Sequence, residues 1–198
     1  GSLLNAVTRG DGNVGEIVTE NIKTIKDIPQ KLNGSYPKFI EIRGEIFMKK
    51  SHFEQLNKLQ IENNSKIFAN SRNAAAGSIR QKNVAILKQR KLNFYAFTIG
   101  EYTEDFKFET QVDLLKKFKE MGLITNKENY LANNIKEIKE FYTKILSKRH
   151  NLDYEIDGLV YKINNKSLQD RLGNLSRAPR WAIAHKLPTE VGETILVN

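Results

Sequence analysis

Apolar positions recur along this chain in two rhythms, and those rhythms divide it into elements before any chemistry is assigned. Between Phe39 and Met48, Ile40, Ile42 and Ile46 alternate with Glu41, Arg43 and Glu45, the period of a half-buried strand. Leu92 to Gly100, rich in aromatics, reads as another strand, as do Glu155 to Ile163 and Trp181 to Lys186, the last set between Pro179 and Pro188. Leu3 to Val7 reads as a strand entering the turn Thr8-Arg9-Gly10-Asp11-Gly12, with a short helix following around Glu16 to Asn21. Helical spacing governs the intervening segments. Ser51-His52-Phe53-Glu54 has the form of a capping box that starts a helix running to about Asn63. Asn73 to Gln81 is expected to be helical, and Thr110 to Met121 has helical spacing that stops at Gly122. Ile135, Ile138, Tyr142 and Ile145 form an apolar stripe on a helix ending near His150. Strands and helices mix without strict βαβ alternation. The expected class is therefore α+β, with mainly antiparallel sheets, flanking helices and a single domain over residues 1–198.

Bulk composition narrows the function classes. The 198 residues are 39% hydrophobic and 28% charged, enough for an ordinary globular core, and the net charge of +9 favours a polyanionic partner such as nucleic acid. There are no cysteines, which excludes disulfides, thiolate metal sites and a cysteine nucleophile. His52, His150 and His185 show no metal-ligand spacing, so no metal site is expected. No segment has the length of a membrane span and no signal peptide opens the chain, so the expectation is a cytoplasmic protein without a membrane partner.

Five segments carry the candidate chemistry. Phe68 to Gln81 sets Arg72 and Arg80 about two helical turns apart across a run of small residues. Helical geometry would put both guanidinium groups on one side, where planar, permanently charged forks suit phosphate or carboxylate; the plain alternative is a solvated surface helix. The Thr8 to Gly12 turn sets Arg9 and Asp11 between glycines, either to reach into a cleft or as a surface turn stabilised by Asp11. Glu41-Ile42-Arg43-Gly44-Glu45 places three charges on one strand face, either solvated or facing a cleft in which Glu45 binds a ribose hydroxyl or a metal through water; Gly44 would leave room for close approach. In Glu155 to Lys162, the side chains of Gly158, Val160 and Lys162 share one face, so Lys162 should point where a glycine leaves space. Ala184-His185-Lys186-Leu187 sets a second lysine at the end of an apolar strand. Each lysine alone could simply snorkel; together they suit a clamp for a phosphoanhydride.

Taken in order, these segments resemble the adenylation (nucleotidyltransferase) domain of bacterial NAD-dependent DNA ligases. The matching motifs are Thr8 to Gly12, Glu41 to Glu45, Phe68 to Gln81, Glu155 to Lys162 and Arg177 to Lys186, and they span nearly the whole chain. The resemblance implies the ATP-grasp-like nucleotidyltransferase fold shared by DNA ligases and mRNA capping enzymes. It implies a reaction in three steps: a lysine takes AMP from NAD, the AMP passes to the 5′-phosphate of a nick, and the 3′-hydroxyl displaces it. Magnesium is the implied metal, with manganese as a substitute; the partners are nicked double-stranded DNA and NAD or AMP, and the chain is expected to be monomeric. By motif, Glu45 would bind the AMP ribose, and Lys162 and Lys186 would contact the α-phosphate as the catalytic lysines of this chain. Arg149 would help form the nucleotide site, and Asp157 and Gly158 would shape it. Arg9, Asp11, Arg72 and Arg80 would serve the nucleotide phosphates and the DNA backbone around the nick.

The chain also departs from the family pattern. The family's nucleophile lies in a Lys-x-Asp-Gly motif upstream of the Thr-Arg-Gly-Asp-Gly turn, and only eight residues precede Arg9, none of them lysine. Ser71 stands where a proline is usual. The expectation is a partial adenylation domain, inactive alone, without the NMN-binding, OB-fold, zinc, helix-hairpin-helix and BRCT domains; zinc would belong only to those. The competing class is a non-catalytic, basic nucleic-acid-binding module, which accounts for the charge but not for Glu45, Asp11 and Asp157 among the basic residues. An RNA ligase or capping enzyme is a third reading, disfavoured by Phe68 to Gln81.

Overall fold

The computed structural model describes residues 1–12, 14–175 and 178–189. Its centre is an antiparallel pair, β1 (Ile40–Met48) and β2 (Leu92–Tyr102), running from Ile40 opposite Tyr102 to Met48 opposite Leu92. Alternation does its work here: Leu92, Phe94 and Ala96 are buried on one face of β2 and join Met48 in the core. Three helices connect the strands, α2 (Lys50–Glu62), α3 (Ser71–Ile79) and α4 (Val84–Gln89).

Helix α3 lies on β1 and presents Ala74, Ala75 and Ser78 to the core. Small side chains allow this close approach, so the space they leave is taken up by the sheet. The helix begins at Ser71 rather than Asn73, because Asn70 caps it by accepting a hydrogen bond from Asn73 N–H at 2.7 Å. Helix α5 (Gln111–Glu120) packs on β2, and Leu114 and Phe118 are fully buried, each contributing about 1.5–3 kcal/mol of apolar burial. Thr110 caps α5 and Met121 closes it before Gly122, as its spacing predicts.

The second half carries α6 (Ile135–Lys148), a 3-10 turn (Arg149–Asn151), β3 (Gly158–Lys162) and α7 (Lys166–Leu172), followed by β4 (Asn174–Leu175), β5 (Ala178–Pro179) and β6 (Ala182–Lys186). β3 pairs antiparallel with β6, and β4 with β5. All three strand pairs among the described residues are antiparallel, and helices alternate with them irregularly, as expected for α+β.

Three local expectations are corrected. Leu3 to Val7 is not a strand: Ser2 bridges Lys31 and Val7 bridges Ile17, and partners on two separate segments cannot build one ladder. The helix after it is one turn, α1 (Thr19–Ile22). The capping box at Ser51 does not form, because α2 starts one residue earlier with Lys49 at its cap, without a side-chain bond. Asp153 caps it from across the chain instead, its Oδ1 accepting from Ser51 N–H at 3.1 Å and its Oδ2 from the Ser51 hydroxyl at 3.0 Å. No helix among the described residues is long and apolar enough to cross a membrane.

Candidate functional site

The register of β3 and β6 locates the two lysines. Gly158 lies opposite Lys186 and Lys162 opposite Ala182, so both lysines project from one face but from opposite ends of it. Four residues of strand separate the two positions, about 13 Å along the sheet. Val160, 58% exposed, and Ala184 form the apolar floor between them. Two cationic side chains rooted at the ends of such a floor can converge on a phosphate held above its middle.

Lys162 is half-buried, and its environment explains its chemistry. Its Nζ donates to the Phe97 carbonyl at 2.9 Å and lies 5.2 Å from the Phe97 ring centroid. Burial pushes its pKa down from 10.5 to about 8. The Phe97 carbonyl is available because β2 bulges there: Arg43 pairs with Thr98 and Gly44 with Ala96, so Phe97 is passed over by the ladder. Gln111 Nε2 also donates to that carbonyl, at 3.2 Å. Phe97 is 42% exposed, and its ring beside the lysine is an aromatic group that the motifs do not include. A mid-strand aromatic carries no sequence signal for a bulge.

The glycines act differently from expectation. A Cβ on Gly44 would sit 2.1 Å from the Phe94 ring, so the space there is filled from the core and not by a ligand. A Cβ on Gly158 would sit 2.3 Å from the His185 carbonyl oxygen, so its space admits the β6 backbone and not the Lys162 side chain. Gly10 adopts φ +53°, and any Cβ there would strike the Val14 carbonyl oxygen, so the turn requires it.

The two arginines of the Phe68 to Gln81 segment reach different partners. Arg72 Nη1 meets Asp157 Oδ2 at 2.9 Å, tying α3 to the segment that leads into β3. Arg80, just past the end of α3, meets Glu16 Oε2 at 3.0 Å through its Nε. Arg72 therefore joins α3 to another of the matching segments, and Arg80 joins it to the stretch that follows the Thr8 to Gly12 turn.

Arg9 is exposed in its turn, where its carbonyl accepts from Gly12 N–H at 3.0 Å. Asp11 Oδ1 accepts from Val14 N–H at 2.8 Å, the turn-stabilising contact of the plainer alternative. Glu45 stands exposed on β1 opposite Tyr95, two residues from Phe97. Its neighbour Glu41 accepts from Arg43 Nε, and that hydrogen bond is the largest effect holding the Glu41 carboxyl below its ordinary pKa. Of the three charges on this strand, two therefore engage each other.

Arg149 lines a cleft of about 200 Å³ with Lys50, His150, Glu155, Ile156 and Asp157, and its Nη1 donates to the Pro188 carbonyl at 3.0 Å. His185 stacks on Tyr142, centroids 4.3 Å apart and planes at 12°, while its Nδ1 lies 2.9 Å from the Tyr161 hydroxyl. That contact holds β6, and with it Lys186, against α6. Arg177, which opens the last matching motif, lies outside the described residues.

The family model described as the NAD-dependent DNA ligase adenylation domain matches residues 1–190. A DNA ligase of Bartonella henselae is 49% identical over 99% of the chain, which covers 27% of that protein. A DNA ligase of Rickettsia prowazekii is 48% identical over the entire chain, covering 28% of that protein. The chain thus spans little more than a quarter of the length of the relatives it matches.

Proposed function

Because the chain belongs to the NAD-dependent DNA ligase adenylation-domain family, we propose that it supplies the nucleotide- and nick-phosphate-binding part of a DNA ligase with the nucleotidyltransferase fold. The observation that carries this reading is the shared face of β3 and β6, with Lys162 and Lys186 at its ends and the exposed Phe97 ring beside Lys162. The adenine stacks on Phe97 and over Val160, Glu45 receives the ribose, and the two lysines hold the α-phosphate and neutralise the charge that builds on it during transfer. Arg149, Asp157 and Gly158 shape the pocket, and Arg9, Asp11, Arg72 and Arg80 serve the nucleotide phosphates and the DNA backbone at the nick.

NAD is the AMP donor in this reading. Magnesium, or manganese in its place, accompanies the phosphates. No group of three or more His, Cys, Asp or Glu that could hold a metal occurs among the described residues, consistent with a cation carried largely by substrate oxygens. The protein acts as a monomer in the cytoplasm. One domain over residues 1–198 suffices for this role.

The 198 residues contain no Lys-x-Asp-Gly segment. We therefore expect them to bind adenine nucleotide without forming lysyl-AMP. Incubation with radiolabelled NAD and magnesium is expected to leave no covalent AMP on the polypeptide, whereas AMP raises its melting temperature. A covalent adduct defeats the inactive-fragment part of this reading. Salt-sensitive DNA binding with no nucleotide protection favours a basic nucleic-acid-binding module instead.

A further inference from the structure

The Glu16–Arg80 pair ties the Phe68 to Gln81 motif to a residue that lies in none of the five motifs. Glu16 is stitched to the Thr8 turn through both main-chain groups: Thr8 N–H donates to the Glu16 carbonyl at 2.9 Å, and Glu16 N–H donates to the Thr8 hydroxyl at 3.0 Å. Asn21, in α1, donates from its Nδ2 to the carbonyls on either side of Arg80, those of Ile79 and Gln81. Arg80 is thus held at its backbone by Asn21 and at its guanidinium by Glu16, and both holders come from the segment that follows the Arg9 turn.

Pinning of this kind aims a guanidinium. The carboxylate bonded to it occupies the position that an incoming anionic oxygen needs, since carboxylate and phosphate present similar oxygens to an arginine. The two side chains are 63% and 62% exposed, and exposed ion pairs are weak, so the carboxylate can be exchanged. We propose that Glu16 is a placeholder carboxylate: it keeps Arg80 extended and oriented in the free protein, and a phosphate of the DNA backbone displaces it. This rests on the phosphate role given to Arg80 in the proposed function. Glu16 is a positioning residue here and touches no reacting atom.

The test is binding of a nicked duplex by the whole 198-residue chain, followed by fluorescence anisotropy at low ionic strength. Glu16→Gln is expected to bind two- to five-fold more tightly than the parent, with an unchanged melting temperature, because the competing charge is gone. Glu140→Gln, which removes an exposed carboxylate paired with Lys136 on α6, controls for the general gain of one positive charge. Its gain should be smaller. In an Arg80→Ala background the advantage of Glu16→Gln should vanish.

If Arg80→Ala weakens binding but Glu16→Gln gains no more than Glu140→Gln, or binds more weakly than the parent, the placeholder role is overturned and the phosphate role of Arg80 stands. Persistence of the Glu16→Gln gain without Arg80 also overturns it, as bulk charge. If Arg80→Ala leaves binding unchanged, the phosphate role assigned to Arg80 fails, and the placeholder falls with it.

Discussion

Lys162 Nζ donates to the carbonyl oxygen of Phe97, a residue that the pairing of β1 with β2 passes over. A strand bulge thereby becomes the acceptor that draws a lysine of the other sheet into half-burial. The Phe97 ring, on the outward face of β2 by simple alternation, lies beside it. The passed-over carbonyl anchors the lysine beside that ring, and burial there lowers its pKa.

Lys162 is expected to titrate near pH 8, read from the pH dependence of its 13Cε resonance. Its folded pKa lies below its unfolded value of about 10.5, so between these limits the unfolded chain binds the extra proton. Stability therefore gains a rising component as pH increases from about 8 toward 10.5, and below pH 8 the full cost of burying the charge remains. Lys162→Met should remove that rising component from urea-unfolding profiles. AMP protection should fall as pH rises through 8, where the lysine loses its charge.

Asp153→Ala should destabilise the protein by about 1 kcal/mol, since it removes the carboxylate that caps α2. Ser51→Ala should cost less, because Asp153 still reaches the main-chain N–H of residue 51. The double variant should cost less than the sum of the two. Chemical denaturation of the four proteins measures this.

Gly44→Ala should cost about 1–3 kcal/mol by overpacking against Phe94, whose ring fills the vacant position. Gly158→Ala should be at least as damaging, because the obstacle is the β6 backbone and cannot rotate away. Thermal melts test both.

Arg72→Ala should change stability by less than about 1 kcal/mol, since its partner Asp157 is as exposed as the arginine itself. Binding of nicked DNA should weaken across sequences, and the slope of log affinity against log salt should fall by about 1. An unchanged salt slope would remove Arg72 from the DNA-contacting set.

His185→Ala should lose about 0.5–1.5 kcal/mol of stability through loss of the Tyr142 stack. His185→Phe should recover most of that loss, because a flat ring is what the stack requires. Tyr161→Phe isolates the remaining hydroxyl contact.

Much of the secondary structure was legible in order. Alternation at Ile40, Ile42 and Ile46 marked β1, and the spacing from Thr110 to Gly122 marked α5 to within a residue. These signals are local, because burial of one face imposes a period on the chain itself. Signals that depend on a distant partner misled. The capping box at Ser51 was a sound local pattern that lost to Asp153, 102 residues away in sequence. Gly44 and Gly158 were legible as places of close approach, but only packing showed that a phenyl ring and a strand, respectively, take the space.

Residue identity alone assigns the family, because five short motifs in order need no knowledge of the fold to be read. It also determined the charge and the absence of cysteine chemistry. Packing between elements sets Lys162 and Lys186 on one face at opposite ends, brings the passed-over Phe97 carbonyl to Lys162, and gives Arg72 and Arg80 each a carboxylate partner far away in the chain. Strand register and ion pairing are relations between residues far apart in the chain. They depend on how separate elements pack, and no local period encodes them.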